Sequence, residues 1–369
     1  MIEVILAIFS ISYLILIFVF SKANNKYSPQ KAENSLQKIS VVIPFRNEEK
    51  NIPNLIHALK NQNLKKQEFE IIWVDDNSTD NSIEVIEKRR GNLKIKLLKL
   101  KEKKGKKEAL KKGILASENN LIITTDADTM PNEKWLKTMQ EYFEKVNPDL
   151  LLGPVEIKGN KTLFSSLQQI EFAALLASTQ GCVALNKAII ANGANLAFKK
   201  ETYLQFNRQD LAFTEASGDD VFFLHAIKRK YKEKAKISFA NTKEALVETI
   251  PKSSIKSLIH QRIRWAKKTR YYKDSFSIIV SFIVFTGNIA LPIMLILCSL
   301  RHIEWMYLSM YFLAKVWVDV QLLYSISNWR SFTLNYLHIF ILSLVYPVYL
   351  ILLALLSLRI QPQWKERKV

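Results

Sequence analysis

The long apolar segments at the two ends of this 369-residue chain constrain its architecture more than any other feature. They enclose a lysine-rich, water-soluble middle. At a rise of about 1.5 Å per residue, a helix made from any of them nearly spans the hydrocarbon core of a bilayer. We therefore expect membrane helices on both sides of one sizeable soluble domain. The apolar segments cover residues 4–20, 276–300, 303–325 and 333–358.

The first apolar segment fits a membrane helix better than a cleaved signal peptide. No Lys or Arg precedes it, whereas a signal peptide begins with a positively charged region. Lys22, Lys26 and Lys31 follow it instead. Because positive residues favour the cytoplasmic side of a membrane, we expect the N-terminus outside and the next domain in the cytoplasm, at a bacterial inner membrane.

The middle one of the three C-terminal apolar segments, 303–325, differs from the other two because it contains charged residues in its interior. Lys315 and Asp319 lie four residues apart in it, on one helix face. An intramembrane ion pair can mark a functional site, and the alternative is a helix that lies in the interface or packs inside the bundle. Three crossings would leave the basic tail outside, against the positive-inside rule, whereas two crossings and one interfacial helix would place it inside. Both topologies stay open.

The formal net charge of +19 narrows the choice of partners. A positive charge of this size would be attracted by nucleic acid, by anionic lipid head groups or by a phosphorylated substrate. Membrane segments flank the basic part, and no zinc-finger, RNA-recognition or basic-zipper pattern is present, so we expect lipid and phosphate and no nucleic acid. Cys182 and Cys298 lack a CxxC spacing, which favours a reducing compartment over a disulfide or zinc framework.

Short β-branched runs alternate with helical patterns in the soluble part, which predicts an α/β fold with a mostly parallel sheet. Each of the second and fourth runs is followed directly by acidic residues. Ligands of open parallel sheets bind beyond the carboxyl ends of the strands, so these acids are expected at one edge. The predicted strands are 39–45, 71–74, 93–98 and 121–125, and the predicted helices are 50–62, 79–90 and 107–117.

Two acidic clusters follow strands. Asp126 and Asp128, one residue apart, offer the oxygen ligands that Mg²⁺ or Mn²⁺ takes while keeping positions open for phosphate. Such a cation would neutralise a departing diphosphate. Asp75 and Asp76 follow the earlier strand. They either cap the next helix or accept hydrogen bonds from a base or ribose.

Two helix starts also admit two interpretations each. Lys106 lies at the start of a predicted helix. It either binds a phosphate there or is part of a solvated lysine-rich loop. Asp219 and Asp220 precede an apolar helix. There they either cap the helix or supply a general base that takes a proton from an acceptor hydroxyl.

A basic and aromatic face is predicted on a helix over 254–273. Gln261, Arg264 and Trp265 share that face at spacing i, i+3, i+4. Arg264 can grip a diphosphate and Trp265 can stack on a sugar ring or a base. The alternative is that they are ordinary anchors just inside a membrane.

Taken in order, these motifs resemble those of the family 2 glycosyltransferases. The most similar branch is membrane-bound, with cellulose, chitin, hyaluronan and poly-N-acetylglucosamine synthases and ceramide glucosyltransferases. The resemblance covers about 39–270 and implies a GT-A fold, Rossmann-like with helices flanking the sheet, and an inverting mechanism. The motifs are IPFRNEE at 43–49, DDNSTD at 75–80, GKKEAL at 105–110, DAD at 126–128, GDD at 218–220 and QRIRW at 261–265.

The resemblance implies a donor site for a nucleotide-sugar. By similarity, Pro44, Glu48, Asp75 and Asp76 cradle the nucleotide. Lys106 is then near the nucleotide or its diphosphate.

It also implies the reacting groups. Asp126 and Asp128 bind Mg²⁺ or Mn²⁺ and the diphosphate. Asp220 is the catalytic base, matching the second acid of the family's usual Glu-Asp pair. Asp219 stands where the family has Glu, which leaves the choice of base open.

The resemblance extends toward the membrane. Gln261, Arg264 and Trp265 match the family's Q-x-x-R-W motif, which closes over the donor near the membrane face. Gly193 and Asn195 lie in a segment similar to one near the family's acceptor site.

The expected organisation has a catalytic domain between membrane parts. A linker precedes it and an amphipathic interfacial helix follows it. The expected parts are a membrane helix at 1–21, a linker at 22–38, a cytoplasmic GT-A domain at 39–253, the interfacial helix at 254–274, two or three membrane helices at 275–358 and a basic tail at 359–369.

We expect an enzyme that moves a sugar from a nucleotide-sugar, a UDP-sugar by the resemblance, to a hydroxyl of a membrane lipid or a lipid-linked acceptor. The small number of membrane helices favours this over a processive polysaccharide synthase, although oligomers or partner subunits could complete a polymer channel. A catalytically inactive scaffold would not need the full set of acidic motifs. A sugar nucleotidyltransferase would need a Gly-rich loop for a triphosphate, which is lacking.

Overall fold

The computed structural model describes residues 2–26, 37–101, 105–160, 162–212, 218–268, 272, 274–360, 363–364 and 367–368. Its α-helices are α1 Ile2–Lys26, α2 Ile52–Lys60, α3 Ser82–Arg89, α4 Lys106–Ala116, α5 Trp135–Val146, α6 Leu163–Ala184, α7 Lys200–Leu204, α8 Asp219–Tyr231, α9 Ile255–Lys268, α10 Ser275–Ser299, α11 Trp305–Tyr324 and α12 Tyr336–Arg359. Its strands are β1 Ile39–Phe45, β2 Phe69–Asp75, β3 Ile95–Lys99, β4 Leu121–Thr124, β5 Thr129–Pro131, β6 Leu150–Leu152, β7 Val155–Ile157, β8 Leu196–Lys199, β9 Ile237–Phe239, β10 Val247–Thr249, β11 Gln363–Trp364 and β12 Arg367–Lys368.

A seven-stranded sheet forms the centre of the soluble domain, in the order β3-β2-β1-β4-β8-β6-β9. The strands β3, β2, β1 and β4 pair in parallel, whereas β8 runs antiparallel to both its neighbours. Every residue of β1, β2 and β4 is buried, as expected of parallel strands covered by helices on both faces. The α/β class and the mostly parallel sheet are thereby confirmed.

The parallel register brings the loops that carry the acidic motifs to one edge. Phe45 at the end of β1 pairs with Asp75 at the end of β2, and Val42 pairs with Thr124 at the end of β4. A smaller sheet, β5-β10-β7, lies beside this edge and begins just after Asp128.

The first helix is longer than predicted and corrects the start of the expected linker. It continues to Lys26, so 22–26 are helical, and 27–36 lie outside the described residues. Its polar end is held by buried contacts with the rest of the fold. Ser21 Oγ donates to Gln321 O at 3.1 Å, and Asn24 Nδ2 donates to Ala177 O at 3.0 Å. These bonds pair the buried polar side chains of the last turns of the helix.

Three helices of the described chain are long and apolar enough to cross a membrane: Ile2–Asn24, Ser275–Ser299 and Tyr336–Arg359. Their exposed side chains are mostly apolar, as a lipid-facing surface requires. The helix α11 is not among them because its composition includes Lys315 and Asp319. Those two side chains form the predicted ion pair, 2.7 Å apart.

Although less apolar, α11 runs the length of the helical bundle. The helix α10 begins beside the soluble domain, where Lys228 Nζ lies 2.7 Å from Asp274 Oδ1. A short turn after Ser299 reverses the chain, and the segment following α11 returns to the domain, where Asn328 Nδ2 donates to Asn241 O at 2.6 Å. The two ends of α11 are thus connected to α10 by a short turn and to the soluble domain through the segment that follows it.

Candidate active site

Three helix and strand ends place charged side chains together at the sheet edge. Asp126 lies in the turn after β4, Lys106 opens α4, and Asp219 opens α8. Lys106 Nζ is 2.6 Å from Asp126 Oδ1 and 3.9 Å from Asp219 Oδ2. Burial acts to lower the pKa of Lys106, but the two carboxylates outweigh it and raise that pKa above its usual value. The lysine is therefore a permanent cation inside an acidic cluster.

Asp220 is held as an ionised carboxylate. Its Oδ2 accepts from Gly193 N at 3.0 Å, its Oδ1 accepts from Val221 N at 2.8 Å, and Lys268 Nζ lies 3.8 Å from Oδ1. Burial acts to raise the pKa of Asp220, but the charges of Lys268 and Lys106 and the two backbone donors bring it below its ordinary value. Asp220 is therefore ionised and has a free lone pair for a further donor, which is what a proton acceptor requires.

Asp219 differs from its neighbour. Burial raises its pKa, and the adjacent charge of Asp220 adds to that effect against the opposing charge of Lys106. The two adjacent acids thus have different surroundings: two backbone donors and Lys268 lie against Asp220, whereas Lys106 lies 3.9 Å from Asp219. Sequence reasoning predicted the pair but could not predict this difference.

Arg264 of α9 faces the acids from the membrane side. Burial lowers its pKa, while Asp126, Asp128 and the α8 pair act in the opposite sense. No ion pair holds Arg264 within the described part of the chain, although Asp126, Asp219 and Asp220 each lie near a lysine. Its guanidinium is thus a cation on the cavity wall near the acids, and a guanidinium can bind phosphate oxygens in a bidentate manner.

Two residues missed by sequence reasoning fix the orientation of α9. Arg262 is buried, and its Nε and Nη2 donate to Glu171 of α6 at 3.1 and 2.8 Å. Its Nη1 donates to Gln261 Oε1 at 2.7 Å, and its guanidinium carbon lies 4.3 Å from the ring centroid of Trp265. The one signal for Glu171 was a single acid within the otherwise uncharged helix 163–184.

The Glu171–Arg262 pair predicts a clear stability effect. Replacing Glu171 by Ala leaves Arg262 buried without its counter-charge, which is expected to cost about 3–5 kcal/mol. The matched control is Glu84→Ala, which breaks the exposed Lys88–Glu84 pair and is expected to change nothing measurable. Thermal unfolding of the detergent-solubilised protein measures both. Equal melting temperatures for Glu171→Ala and the wild type would contradict a structural role for the pair.

The four residues predicted to cradle a nucleotide divide into two groups. Pro44 and Glu48 line the cavity described below, whereas Asp75 and Asp76 do not. Asp75 Oδ1 accepts from Ser78 N at 2.8 Å, and Asp76 Oδ1 accepts from Gly105 N at 3.0 Å. The second of these bonds orders the turn that presents Lys106.

The two residues expected near an acceptor also differ. A Cβ added to Gly193 would lie 3.3 Å from Asp219 Oδ2, so the glycine leaves room for the acids. Asn195 is fully buried. Its Oδ1 accepts from Trp135 Nε1 at 2.9 Å, and its Nδ2 donates to Pro154 O and Ala245 O at 2.8 and 2.9 Å. These structural bonds place Asn195 behind the site, which does not fit the expected contact with an acceptor.

One cavity of about 1220 Å³ connects this cluster with the helical bundle. At its domain end the wall contains the acids, Lys106 and all three residues of the Q-x-x-R-W motif. It continues past Glu171 and Arg262 between α1, α10, α11 and α12. The bundle part of the wall includes Tyr13, Asn288, Lys315, Asp319, Ser343 and Tyr346.

Asp126 and Asp128 fit a divalent cation by the chemistry of their oxygen donors. No group of three or more metal-binding side chains occurs among the residues that the structure describes. The protein would therefore supply two carboxylates and leave other positions to substrate oxygens, as expected of Mg²⁺ or Mn²⁺ sites that bind phosphates.

Part of the chain is similar in sequence to known proteins. Residues 40–207 match the family described as glycosyl transferase family 2. The poly-beta-1,6-N-acetyl-D-glucosamine synthase of Staphylococcus epidermidis is 25% identical over 343 residues, covering 87% of this chain and 77% of that protein. The poly(ribitol-phosphate) beta-N-acetylglucosaminyltransferase TarS of Staphylococcus aureus is 33% identical over 129 residues, 34% of this chain. That match spans only 22% of the length of TarS.

A solved structure shows the same fold. The mannosyltransferase PcManGT from Pyrobaculum calidifontis, determined with GDP-Man and Mn²⁺, superposes with a TM-score of 0.55 at 16% identity. The superposition covers 96% of this chain and 97% of that one. The expected GT-A fold class is confirmed.

Proposed function

Because residues 40–207 form a glycosyl transferase family 2 domain, we propose that this protein is a membrane-bound, inverting glycosyltransferase that adds a sugar to a hydroxyl of a lipid or lipid-linked acceptor. One observation carries the proposal: Asp220, Arg264 and the Asp126/Asp128 pair line a single cavity that continues between membrane helices. The donor enters from water, and the acceptor enters from the bilayer. A catalytically inactive scaffold would not require this convergence.

Direct displacement is the mechanism that the geometry supports. Asp220 takes the proton of the acceptor hydroxyl, whose oxygen attacks the anomeric carbon from the face opposite the nucleotide. Arg264 and Lys106 stabilise the charge that grows on the diphosphate. One inversion converts an α-linked donor into a β-linked product. A divalent cation held by Asp126 and Asp128 supplies further charge neutralisation when bound.

The donor is proposed to be a UDP-sugar, and UDP-N-acetylglucosamine is the first candidate to test. The names of the two curated relatives both specify N-acetylglucosamine. The soluble domain is proposed to face the cytoplasm of a bacterium, with the N-terminus outside, because the exposed Lys22 follows the apolar part of α1.

A processive synthase is the second candidate. The similarity to the poly-beta-1,6-N-acetyl-D-glucosamine synthase supports it, because that match extends over the membrane helices as well as the domain. Product length distinguishes the two candidates.

A donor screen tests the function. Detergent-purified protein is incubated with membrane lipids and individual nucleotide-sugars, and products are identified by mass spectrometry. We expect one donor to be consumed, with release of nucleoside diphosphate and formation of an organic-soluble glycolipid. Chelation by EDTA is expected to lower the rate at least about tenfold, and added Mn²⁺ or Mg²⁺ to restore it.

Each part of the proposal fails separately. Folded protein that consumes no donor would overturn the enzymatic proposal. Full activity in EDTA would remove the metal from the mechanism, and long water-soluble polymer would establish the processive candidate.

A further inference from the structure

The last turn of α9 carries a lysine that reaches the proposed base. Lys268 Nζ lies 3.8 Å from Asp220 Oδ1, and the two side chains are each only 14% exposed. Lys268 follows Arg264 by one helical turn, so the two cations share one face of α9. Both line the cavity that contains the acids. One helix thus presents a cation for the leaving group and a second cation at the base.

The stem of Lys268 packs against a glycine at the start of α8. Gly218 precedes that helix with a φ of +89°, in the left-handed region that favours glycine. A Cβ added to Gly218 would lie 2.8 Å from Phe222 Cε2 and 3.2 Å from Lys268 Cδ. A side chain at this position would therefore crowd the lysine stem. The GDD motif supplies the base and also the space through which Lys268 approaches it.

The two lysines of the cluster serve different acids. Lys106 Nζ lies 2.6 Å from Asp126 Oδ1 and 3.9 Å from Asp219 Oδ2. Lys268 forms its ion pair with Asp220 instead. A carboxylate in a buried site needs a counter-charge to stay ionised, and the geometry gives that role at Asp220 to Lys268.

The electrostatic surroundings of Asp220 agree with this pairing. Burial acts to raise its pKa, and Lys268 has the largest opposing effect, ahead of Lys106 and the backbone N–H groups of Val221 and Gly193. The other charged or titratable groups that act on Asp220 are Asp219 of α8, Arg264 of α9 and Tyr272, which follows α9. Removal of the Lys268 charge therefore favours the protonated form of Asp220.

We propose that Lys268 is a positioning residue for the base: it holds Asp220 as an ionised carboxylate and ties the helix that contacts the leaving group to the helix that carries the base. The inference rests on the proposed function and assigns a role to a residue that belongs to none of the sequence motifs. Lys268 touches no reacting atom and acts through Asp220.

The pH profile of Lys268→Met tests the proposal. Methionine keeps an apolar stem and removes the charge, so the pKa of Asp220 is expected to rise. The fall of kcat/KM at acid pH is then expected to begin at a higher pH than in the wild type. At alkaline pH Asp220 is ionised in both proteins, and kcat/KM is expected to approach the wild-type value. A purely structural role would lower kcat/KM by the same factor at every pH.

Three further variants serve as controls. Lys268→Gln is a second neutral variant and is expected to shift the profile as Lys268→Met does, whereas Lys268→Arg is expected to restore the wild-type profile. Lys267→Met removes the adjacent cation, which does not line the cavity, and is expected to leave the profile unchanged. Equal shifts in Lys267→Met and Lys268→Met, or a pH-independent loss in Lys268→Met, would overturn the proposal.

A direct titration of the carboxyl group needs no turnover. Infrared difference spectra follow the protonation of carboxylates, and the signal missing from Asp220→Asn identifies Asp220. Protonation is expected at a higher pH in Lys268→Met than in the wild type and Lys267→Met. The same titration in all three proteins would refute the role of Lys268. The expected shift in a protein whose wild type consumes no donor would refute the proposed function and leave the control of Asp220 by Lys268 standing.

Discussion

Replacing Asp220 by Asn is expected to lower the rate of sugar transfer by about 10²–10⁴-fold, the contribution of a positioned general base. The amide keeps the shape of the carboxylate, and its one oxygen can accept from Gly193 N or from Val221 N but not from both. Because neither bond involves the donor, binding of the nucleotide-sugar is expected to change little. Initial rates with saturating donor measure the loss, and titration calorimetry with the free nucleotide measures the binding.

Asp219→Asn is the matched control for this prediction. The structure lowers the pKa of Asp220 and raises that of Asp219 from the ordinary value of 3.8. With Asp220 as the base, activity is retained down to a pH below that value, and is lost only as Asp220 becomes protonated. With Asp219 as the base, activity would fall at a higher pH. Asp219 would be the base if Asp219→Asn were inactive and Asp220→Asn active. In that case kcat/KM of the wild type would also fall at a higher pH than expected for Asp220.

Replacing Arg264 by Ala is expected to lower kcat about 10²–10³-fold, because a preorganised donor toward the developing negative charge is lost. Arg264→Lys is expected to recover only part of the rate, because a lysine keeps the positive charge but cannot form bidentate hydrogen bonds to the diphosphate. Lys267→Ala is the control. It removes a positive charge from the same helix, at a residue that does not line the cavity, and is expected to leave the rate unchanged.

Donor hydrolysis distinguishes this loss from a defect in the acceptor site. Departure of the diphosphate is common to transfer and hydrolysis, so Arg264→Ala is expected to slow both reactions equally. A variant that is defective only in acceptor binding would slow transfer and leave hydrolysis unchanged. If Arg264→Ala hydrolysed the donor at the wild-type rate, Arg264 would have no role at the leaving group.

The sheet edge that carries the acidic residues was predictable because its signals are local. The strand predicted at 39–45 is β1, since a run of buried β-branched residues between Lys38 and Arg46 leaves little choice of register. The acids after β2 and β4 follow from the same pattern. Parallel pairing then determines that the ends of these strands meet.

The partners of individual side chains were not predictable, because they depend on contacts between distant parts of the chain. Glu171 and Arg262 are separated by 91 positions and meet only when α9 packs against α6. Asp76 and Asn195 had the right residue types for ligand contacts, yet both bind the protein itself. The continuity of the cavity into the bundle depends on the packing of four helices and has no counterpart in any short motif.

The polar end of α1 has a consequence for substrate choice. Asn24 fastens α1 to α6 of the catalytic domain, and Asn328 fastens the segment after α11 to the same domain. With both sides attached, these contacts set the distance between the acids and the apolar helices. If those helices lie in a bilayer, as proposed, acceptors are selected by how far their reactive hydroxyl extends from the lipid as well as by their chemical identity.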